Sequence, residues 1–587
     1  MVRGTFFGLE IGRTGLTTAQ FGLDVTSHNI ANLDTEGYTR QRIVSTAYDP
    51  FATIGRFAPV GQGLVGGGVR VQILDQIRSA FLDRRFREES GMNAYWDTRA
   101  QSMSYIESFF DSVNEKTSIN HSISEFFRSM TLVSQDPVAG APRKLMQTSA
   151  MDLAQQLKMI HQGLIDFQRV EDEAVRTKID DINTMSKALT ELNVAIYTFE
   201  ITGMLANDLR DKRNLLLDEL SLLIDIEYRE YPDKFGHSMM EVTVAGGVLV
   251  DHDRFNLLGF VEEDNPLGSP PEEKVAVPYW VDIDGSPIFE LDMQQIRGGQ
   301  LKSHIDMRDG IGDGSDSRSK GIPHYIEMMN DLARSLVLEI NTVHVQGWSD
   351  NPAGSRTGIL FFEDYGFGEV RYYDVDGNWL NGPPYDPDFD PYDPDIASAE
   401  YFSYLNIDVP NGAEDPAHPD HQDYLNKQAA LDALRNITAK NFDVSAMILD
   451  NEYNIAASDS KIGVAGTGTP IELQRHNNNN MKELYNLFGR TNFTLPWRNI
   501  GGFNEYATSV RFDVGATLNT AKQAAETSRI LTLAANNQRT AVAGVSLDEE
   551  MVGLVKFNHA YNGAARVITQ MDDALDRLIN GTGRVGL

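Results

Sequence analysis

Gly61, Gly63 and Gly66 stand at the GxGxxG spacing with which a strand–turn–helix unit brings its backbone against a dinucleotide pyrophosphate. That chemistry needs a strand before the glycines and a helix beginning at them. Here a β-branched run, Val69 to Ile73, comes after them, so a glycine-rich loop entering a strand is expected. The segment of Gly463, Gly466 and Gly468 is read the same way. Asp374, Asp376 and Asn378 resemble the opening of a calcium loop, but the sixth position is Trp379 and the twelfth Tyr385, where glycine and glutamate are required. An EF-hand is thereby excluded. Asp309, Asp313 and Asp316 could collect a hard cation weakly, as could a calcium-dependent adhesin built on residues 374–395, while His418 and His421 near Asp420 and Asp423 read as solvated loop groups.

Sequences of the HExxH, GxSxG and Walker A types are absent, and with them the usual hydrolase signatures. Zero cysteine removes disulfides, thiolate zinc sites and cysteine nucleophiles together. Paired carboxylates for glycoside cleavage have no sequence signature, so a secreted cell-wall-cleaving enzyme using carboxylates within 360–425 is the competing reading from the enzyme class. The expectation is no catalytic, cofactor-binding or metal-binding residue, and a protein that is not an enzyme. With 84 acidic against 51 basic side chains the formal charge is −33, which repels a phosphate backbone. Arg84, Arg85 and Arg87, flanked by Asp83, Glu88 and Glu89, read as a solvated helix face. Neither an 18-residue apolar run nor the short apolar core of a cleaved signal occurs, so no membrane partner is expected and export would need another route.

The elements that carry the pattern lie at the two ends. Leu9, Leu16, Leu23 and Ile30 recur every seventh place, with Gly12, Ala19 and Thr26 three positions after the first three. Leu547, Leu554, Tyr561, Ile568 and Leu575 repeat likewise, followed three places on by Phe557, Ala564, Met571 and Leu578. Both are helical seams able to pair. Ser546 with Glu549 three residues later predicts a capping box, and Gly581 and Gly583 predict the end. Burying each Leu or Ile yields about 1.5 to 3 kcal/mol, against about 1 to 2 kcal/mol per residue for ordering backbone. Two lone helices barely break even, so the termini are expected to fold fully only when neighbouring copies cover them.

At 587 residues the chain exceeds the roughly 250 to 300 at which single cores stop growing. The fold class expected is multidomain α+β: terminal helices forming a coiled-coil-like domain, a long-helix bundle, and β-rich outer parts. The boundaries predicted are 1–60 with 540–587 for the innermost helical domain. A mainly helical middle takes 61–227 with 297–350 and 430–539. Strands occupy 228–296, and 351–429 form an acidic Pro/Tyr/Asp-rich outer insert, β or irregular, whose stretch 360–425 reads as strand-poor. Asp136-Pro137 and Gly140-Ala141-Pro142 mark one turn in the helical stretch 93–225, and Gly203 weakens it before Asn207 and Asp208 restart it.

The stretch Ser27-His28-Asn29-Ile30-Ala31-Asn32, continuing through Thr35, Gly37, Tyr38, Thr39, Arg40 and Gln41, resembles the N-terminal motif shared by bacterial flagellar rod, hook and hook-associated proteins. Asn29 and Asn32 sit where a helix ends, and their amides can satisfy free carbonyls or the turn, while Gly37 permits positive φ. Leu547 to Met551, Ala560-Tyr561 and Ala565 to Ile568 look like the matching C-terminal motif. Gly37-Tyr38-Thr39-Arg40-Gln41, Ser124-Glu125-Phe126-Phe127, Asp136-Pro137 with Arg143, Asn207 to Arg213 and Leu217-Asp218-Glu219-Leu220 are nearer to the hook-associated branch than to rod or hook proteins. The likeness covers about residues 1–225, 297–347 and 515–587. It departs at Asn558, Asn562 and Gly563, where the family shows glutamine and alanine.

What the resemblance implies is a structural subunit at the hook–filament junction, required for filament assembly, with a hook or rod axial protein as the alternative. It implies an extracellular place in the flagellum, type III export without a cleaved signal, and four partners: further copies of itself, hook protein, the next hook-associated or filament-junction protein, and an export chaperone. The assembly interface would be carried by Leu9, Leu16, Leu23, Asn29, Ile30 and Asn32 with Leu547, Leu554, Tyr561, Ile568 and Leu575.

Overall fold

Heptad periodicity at the N-terminus becomes a 25-residue helix, α1 (Phe7–Ala31), which Asn32 stops by bonding back to the His28 carbonyl through its amide, 3.0 Å. The computed structural model describes residues 7–48, 66–110, 118–265, 274–282, 284–312, 317–352, 354–366, 368–380, 395–403, 405, 409–410, 413–414, 418–463 and 470–581. Gly61, Gly63, Asp313, Asp316, Gly466, Gly468, Gly583 and the Pro-Tyr-Asp run at 383–394 lie outside them.

After α1 come two antiparallel strands, β1 (Gln41–Ala47) and β2 (Val69–Gln76), with Gln41 opposite Gln76. Four helices follow: α2 (Ala80–Phe110), α3 (Ile119–Gln135), α4 (Gly140–Glu200) and α5 (Asn207–Leu223). The Ser118 side chain caps α3 by accepting the His121 N–H at 3.2 Å. That helix stops before Pro137, since a residue preceding proline is pushed out of the helical region. Gly203, at φ +85°, makes the break between α4 and α5.

Valine-rich alternation then gives two antiparallel meanders: β3 (Glu227–Pro232), β4 (Ser238–Val244), β5 (Gly247–Asp251) and β6 (Arg254–Phe255), then β7 (Leu257–Asp264), β8 (Lys274–Val281) and β9 (Pro287–Glu290). Beyond them lie α6 (Gln300–Asp309), α7 (Ile322–His344), β10 (Trp348–Ser349), β11 (Glu369–Tyr373), β12 (Ser398–Phe402), α8 (His421–Asn436), α9 (Ala446–Asp450), β13 (Ala456–Ser458), α10 (Ile471–Arg475), α11 (Asn479–Asn486), β14 (Phe493–Leu495) and β15 (Arg498–Gly501). The chain closes with α12 (Phe503–Ala543) and α13 (Leu547–Gly581). Multidomain α+β is the observed class. The insert, read from sequence as strand-poor, pairs β11 with β12 over five residues.

Two compact units result, one of residues 1–98, 174–304 and 522–587, the other of 99–173 and 305–521. This differs from the four-part division expected from sequence, because the cuts fall inside α2, α4, α6 and α12. A change of composition marks a change of secondary structure, whereas a domain boundary lies where contacts thin out, and a long helix can cross one without any change of pattern.

In the second unit the core is aromatic. Phe126 on α3 meets Phe361 and Phe362 at 5.5 and 5.8 Å, and Phe362 meets Phe442 at 4.5 Å. Arg143 is buried in the same unit, and among the described residues no carboxylate is hydrogen-bonded to it; its guanidinium donates to the carbonyls of Pro137 (2.8 Å) and Ile455 (2.6 Å). Burial lowers its pKa to about 10. His344 joins three segments: one ring nitrogen bonds the Ile359 carbonyl (2.7 Å), and the other accepts the Ala456 N–H (2.9 Å). That pattern requires the neutral ring, and burial lowers its pKa to about 4.

Two outcomes follow. Arg143→Met strands both carbonyls and should cost about 3 kcal/mol, read as a lower midpoint in denaturant unfolding. Because the folded pKa of His344 lies below the ordinary value of about 6.5, the unfolded chain binds the extra proton. Stability is therefore complete above about pH 6.5 and declines as pH falls toward 4; His344→Gln should flatten that part of a stability-versus-pH curve.

Candidate assembly interface

Alpha-helices α1 and α13 run antiparallel, and the close contact between them is made by glycine. Gly8 faces Met571, Gly12 faces Ile568, Gly15 faces Ala564, and Gly22 faces Phe557. A methyl group added at Gly22 would stand 2.5 Å from the Phe557 ring, and one at Gly12 would stand 2.8 Å from Ile568. Positions 8, 12, 15, 19, 22, 26 and 29 alternate steps of four and three, which is the spacing of a coiled-coil seam. Ala19, Thr26 and Asn29 are buried along it.

The expected leucine column is therefore displaced from the centre. Leu9, Leu16, Leu23 and Ile30 flank the glycine line and are half-buried, as are Leu554, Tyr561 and Leu575 on α13, while the half-buried Ile568 itself faces Gly12; Leu547 is exposed. Where a large side chain of α13 packs on the α1 backbone, as Phe557 does on Gly22 and Ile568 on Gly12, there is no room for a leucine at that position of α1.

At the seam's end the Asn29 amide uses its whole bonding capacity. Its oxygen accepts the Gln41 N–H (3.1 Å) and the Tyr38 hydroxyl (2.8 Å), and its nitrogen donates to the Gln41 carbonyl (2.9 Å) and Glu550 (3.1 Å). Glu550, buried, also accepts Arg40 at 2.7 Å, and Arg40 pairs in addition with Glu549. The Arg40 N–H bonds the Ala543 carbonyl, 2.9 Å. Asn32 serves the local cap and bonds Thr35 at 3.1 Å. Gly37 has φ +76° and lies against Leu215 of α5.

A second layer ties this turn to α5. The Thr39 N–H donates to Asp211 (3.0 Å), Gln41 to Asp208 (3.0 Å), Gln76 to Asp211 (2.9 Å), and Asn207 to Gln41 (3.2 Å). Burial pushes the Tyr38 hydroxyl well up, helped by Asp208, Asp211 and Glu550. Burial also raises the Asp211 carboxyl, against the Thr39 and Gln76 bonds that favour its charge. For Arg78 burial acts against the charge, and Asp83, Asp218 and Asp211 outweigh it.

Arg87 corrects the solvated-face reading of the arginine run. It is buried, bonds Asp218 at 2.6 Å and lies 4.4 Å over the Tyr228 ring; Asp218 takes Arg539 of α12 on its other oxygen, 2.6 Å. Asp83 is buried against Arg78 at 2.6 Å. In the sequence these motifs stand apart, and only the fold joins them into one network; their shared richness in Asp, Asn and Arg is the signal of it that the sequence carries. Asp374 accepts the N–H groups of Asp376 and Asn378 and the Asn378 amide, which caps a turn. His421 bonds the Ala413 carbonyl, 2.9 Å.

Three family models match in chain order: "Flagella basal body rod protein" over residues 9–39, "Flagellar hook-associated protein FlgK helical domain" over 103–362, and "Flagellar basal body rod FlgEFG protein C-terminal" over 537–581. Flagellar hook-associated protein 1 of Bacillus subtilis is 25% identical over 99% of each chain. Its counterparts in Salmonella typhimurium and Escherichia coli K12 are 25% and 23% identical over 97% of this chain and 98% of theirs. The chain belongs to the flagellar hook-associated protein 1 family. A solved structure of the hook junction protein FlgK from Burkholderia pseudomallei shares the fold, with a TM-score of 0.52 at 14% identity over 79% of this chain and all of that one. In this member of the hook-associated protein 1 family the terminal models fall on α1 with its turn and on the last residues of α12 with α13, and so take in both partners of the glycine seam. No helix among the described residues is long and apolar enough to cross a membrane.

Gly22→Val should force α13 away from α1, and Phe557→Ala in the same chain should relieve much of that, read by proteolytic release of the C-terminal helix. Asn29→Asp places a second carboxylate on Glu550 and turns a donor into an acceptor; a loss of about 3 kcal/mol or more is expected in the local stability of α1 and α13, measured by hydrogen exchange.

Proposed function

We propose that this chain is a structural subunit of the bacterial flagellum that forms the junction between hook and filament and is required for filament assembly. The observation that carries this reading is that the two ends pair through α1 and α13 and still leave apolar side chains uncovered. Met551, Val552, Val555, Leu578 and Ile579 on α13, and Ile530, Leu531 and Leu533 on α12, are exposed. Met551, Val552 and Val555, three exposed apolar side chains within little more than one helical turn, form the kind of patch that belongs in contact with another chain. Family membership supplies the class of neighbour, the other axial proteins of the flagellum.

Within that class the neighbours are further copies of this chain in a ring or helical array, hook protein on one side, and the next hook-associated or filament-junction protein on the other. An export chaperone covers the apolar face of α13 before the chain leaves the cell, and export proceeds through the flagellum's type III apparatus without cleavage of a signal. Leu9, Leu16, Leu23, Asn29, Ile30, Asn32, Leu547, Leu554, Tyr561, Ile568 and Leu575 act in assembly in two ways: Asn29 and Asn32 fix the helix end, and the apolar members flank the seam where neighbours can reach them. The flagellar family is structural, and the chemistry it requires is recognition between surfaces.

Electron microscopy of flagella from cells lacking the chain tests the assignment. Hooks without filaments, with filament subunits lost to the medium, are expected; missing hooks would move the chain to the rod or hook, and intact motile flagella would refute the role.

A further inference from the structure

A groove of about 570 Å³ lies in the first unit between α1, β2 and the start of α5. Its walls are mostly apolar, with Phe21, Val25, Leu74, Phe199 and Leu205 among them, and its charged members are Asp24, His28 and Asp208. Phe21 and Phe199 stay exposed by 39% and 46% although they line it, and Ile201 and Met204, on the α4–α5 connection, are exposed as well.

A complementary surface sits on the same chain. The face of α13 opposite Gly553, Phe557, Ala564 and Ile568, which meet α1, begins with Met551, Val552 and Val555, exposed by 49%, 70% and 50%. At 100° per residue His559 and Arg566 continue that side, with Lys556 at its edge. Between Met551 and Met571 the sequence holds Lys556, His559 and Arg566 and no carboxylate, the acidic residues of the helix standing before that stretch at Asp548, Glu549 and Glu550 and after it at Asp572, Asp573 and Asp576, whereas the groove holds Asp24 and Asp208. Apolar patch and apolar groove, basic margin and acidic margin, therefore match in kind. The patch cannot turn into its own groove without releasing the glycine seam, since α13 binds α1 through its other face.

We propose that the Met551–Val552–Val555 patch of one copy docks in the Phe21–Phe199–Leu205 groove of the next, with Lys556 and Arg566 directed to Asp24 and Asp208. Donor and acceptor are different surfaces, so the contact is head-to-tail. Repeated, it generates a ring or an open helix and never a closed two-fold dimer. The proposal rests on the reading that copies of this chain assemble with one another, and names the contact by which they do so.

The absence of cysteine makes a clean trap. In a Leu205→Cys/Val555→Cys chain, mild oxidation of isolated flagella, and separately of the concentrated purified chain, should give a ladder of covalent multimers that neither single variant gives. Lys556→Glu should reduce the ladder about tenfold, a change of about 1.4 kcal/mol, and Asp24→Lys added to it should restore the yield. Monomer alone in both preparations would overturn the docking, as would efficient dimerisation of Val555→Cys by itself, which signifies a symmetric contact. A ladder unaffected by Lys556→Glu would overturn the charge pairing. The junction role is read separately, from whether filaments stay attached to hooks, so loss of the ladder with attached filaments rejects this contact alone.

Discussion

The saturated amide of Asn29 holds together two chain ends 521 residues apart in sequence. Four good hydrogen bonds on one buried group leave no alternative partner and no alternative rotamer, and a buried amide left half-bonded is costly. Glu550 can be buried because Asn29 and Arg40 both serve it, and Arg40 is fixed because its backbone closes on Ala543. The glycine seam sets the distance between α1 and α13; the polar hub sets their register.

From that hub the organisation spreads by charge rather than by apolar packing. Asp211 and Asp218 each receive groups from two directions, Thr39 and Gln76 in one case and Arg87 and Arg539 in the other. Such a network is specific because every member must be matched. The division of labour has a functional sense: α1 turns small residues toward its own chain, where Phe557, Ile568 and Met571 of α13 meet them, while Met551, Val552 and Val555 stay exposed on the other side of α13. A subunit that buried its leucines privately would have nothing left to assemble with.

The second unit follows the opposite logic. Its centre is a set of phenylalanines from α3 and the 361–362 and 442 segments, and its buried polar groups, Arg143 and His344, act on backbone carbonyls and N–H groups to pin loops to that core.

Much of this was legible in the residues. Heptad spacing, proline and glycine breaks, and alternating valines gave the helices and meanders, because local periodicity and backbone restriction are properties of neighbours in sequence. The motif residues from Asn29 to Gln41 and from Asn207 to Asp218 likewise marked the critical turn and helix. The tertiary structure alone decided that Gly8, Gly15 and Gly22 join Gly12, Ala19 and Thr26 in the seam, and that the leucines beside them do not, since how closely two helices approach depends on both surfaces at once. It also turned Arg87 and Asp83 inward from an apparently solvated run, and it drew unit boundaries through the middle of helices. Periodicity tells which residues share a face; only the partner across the gap determines which of them touch.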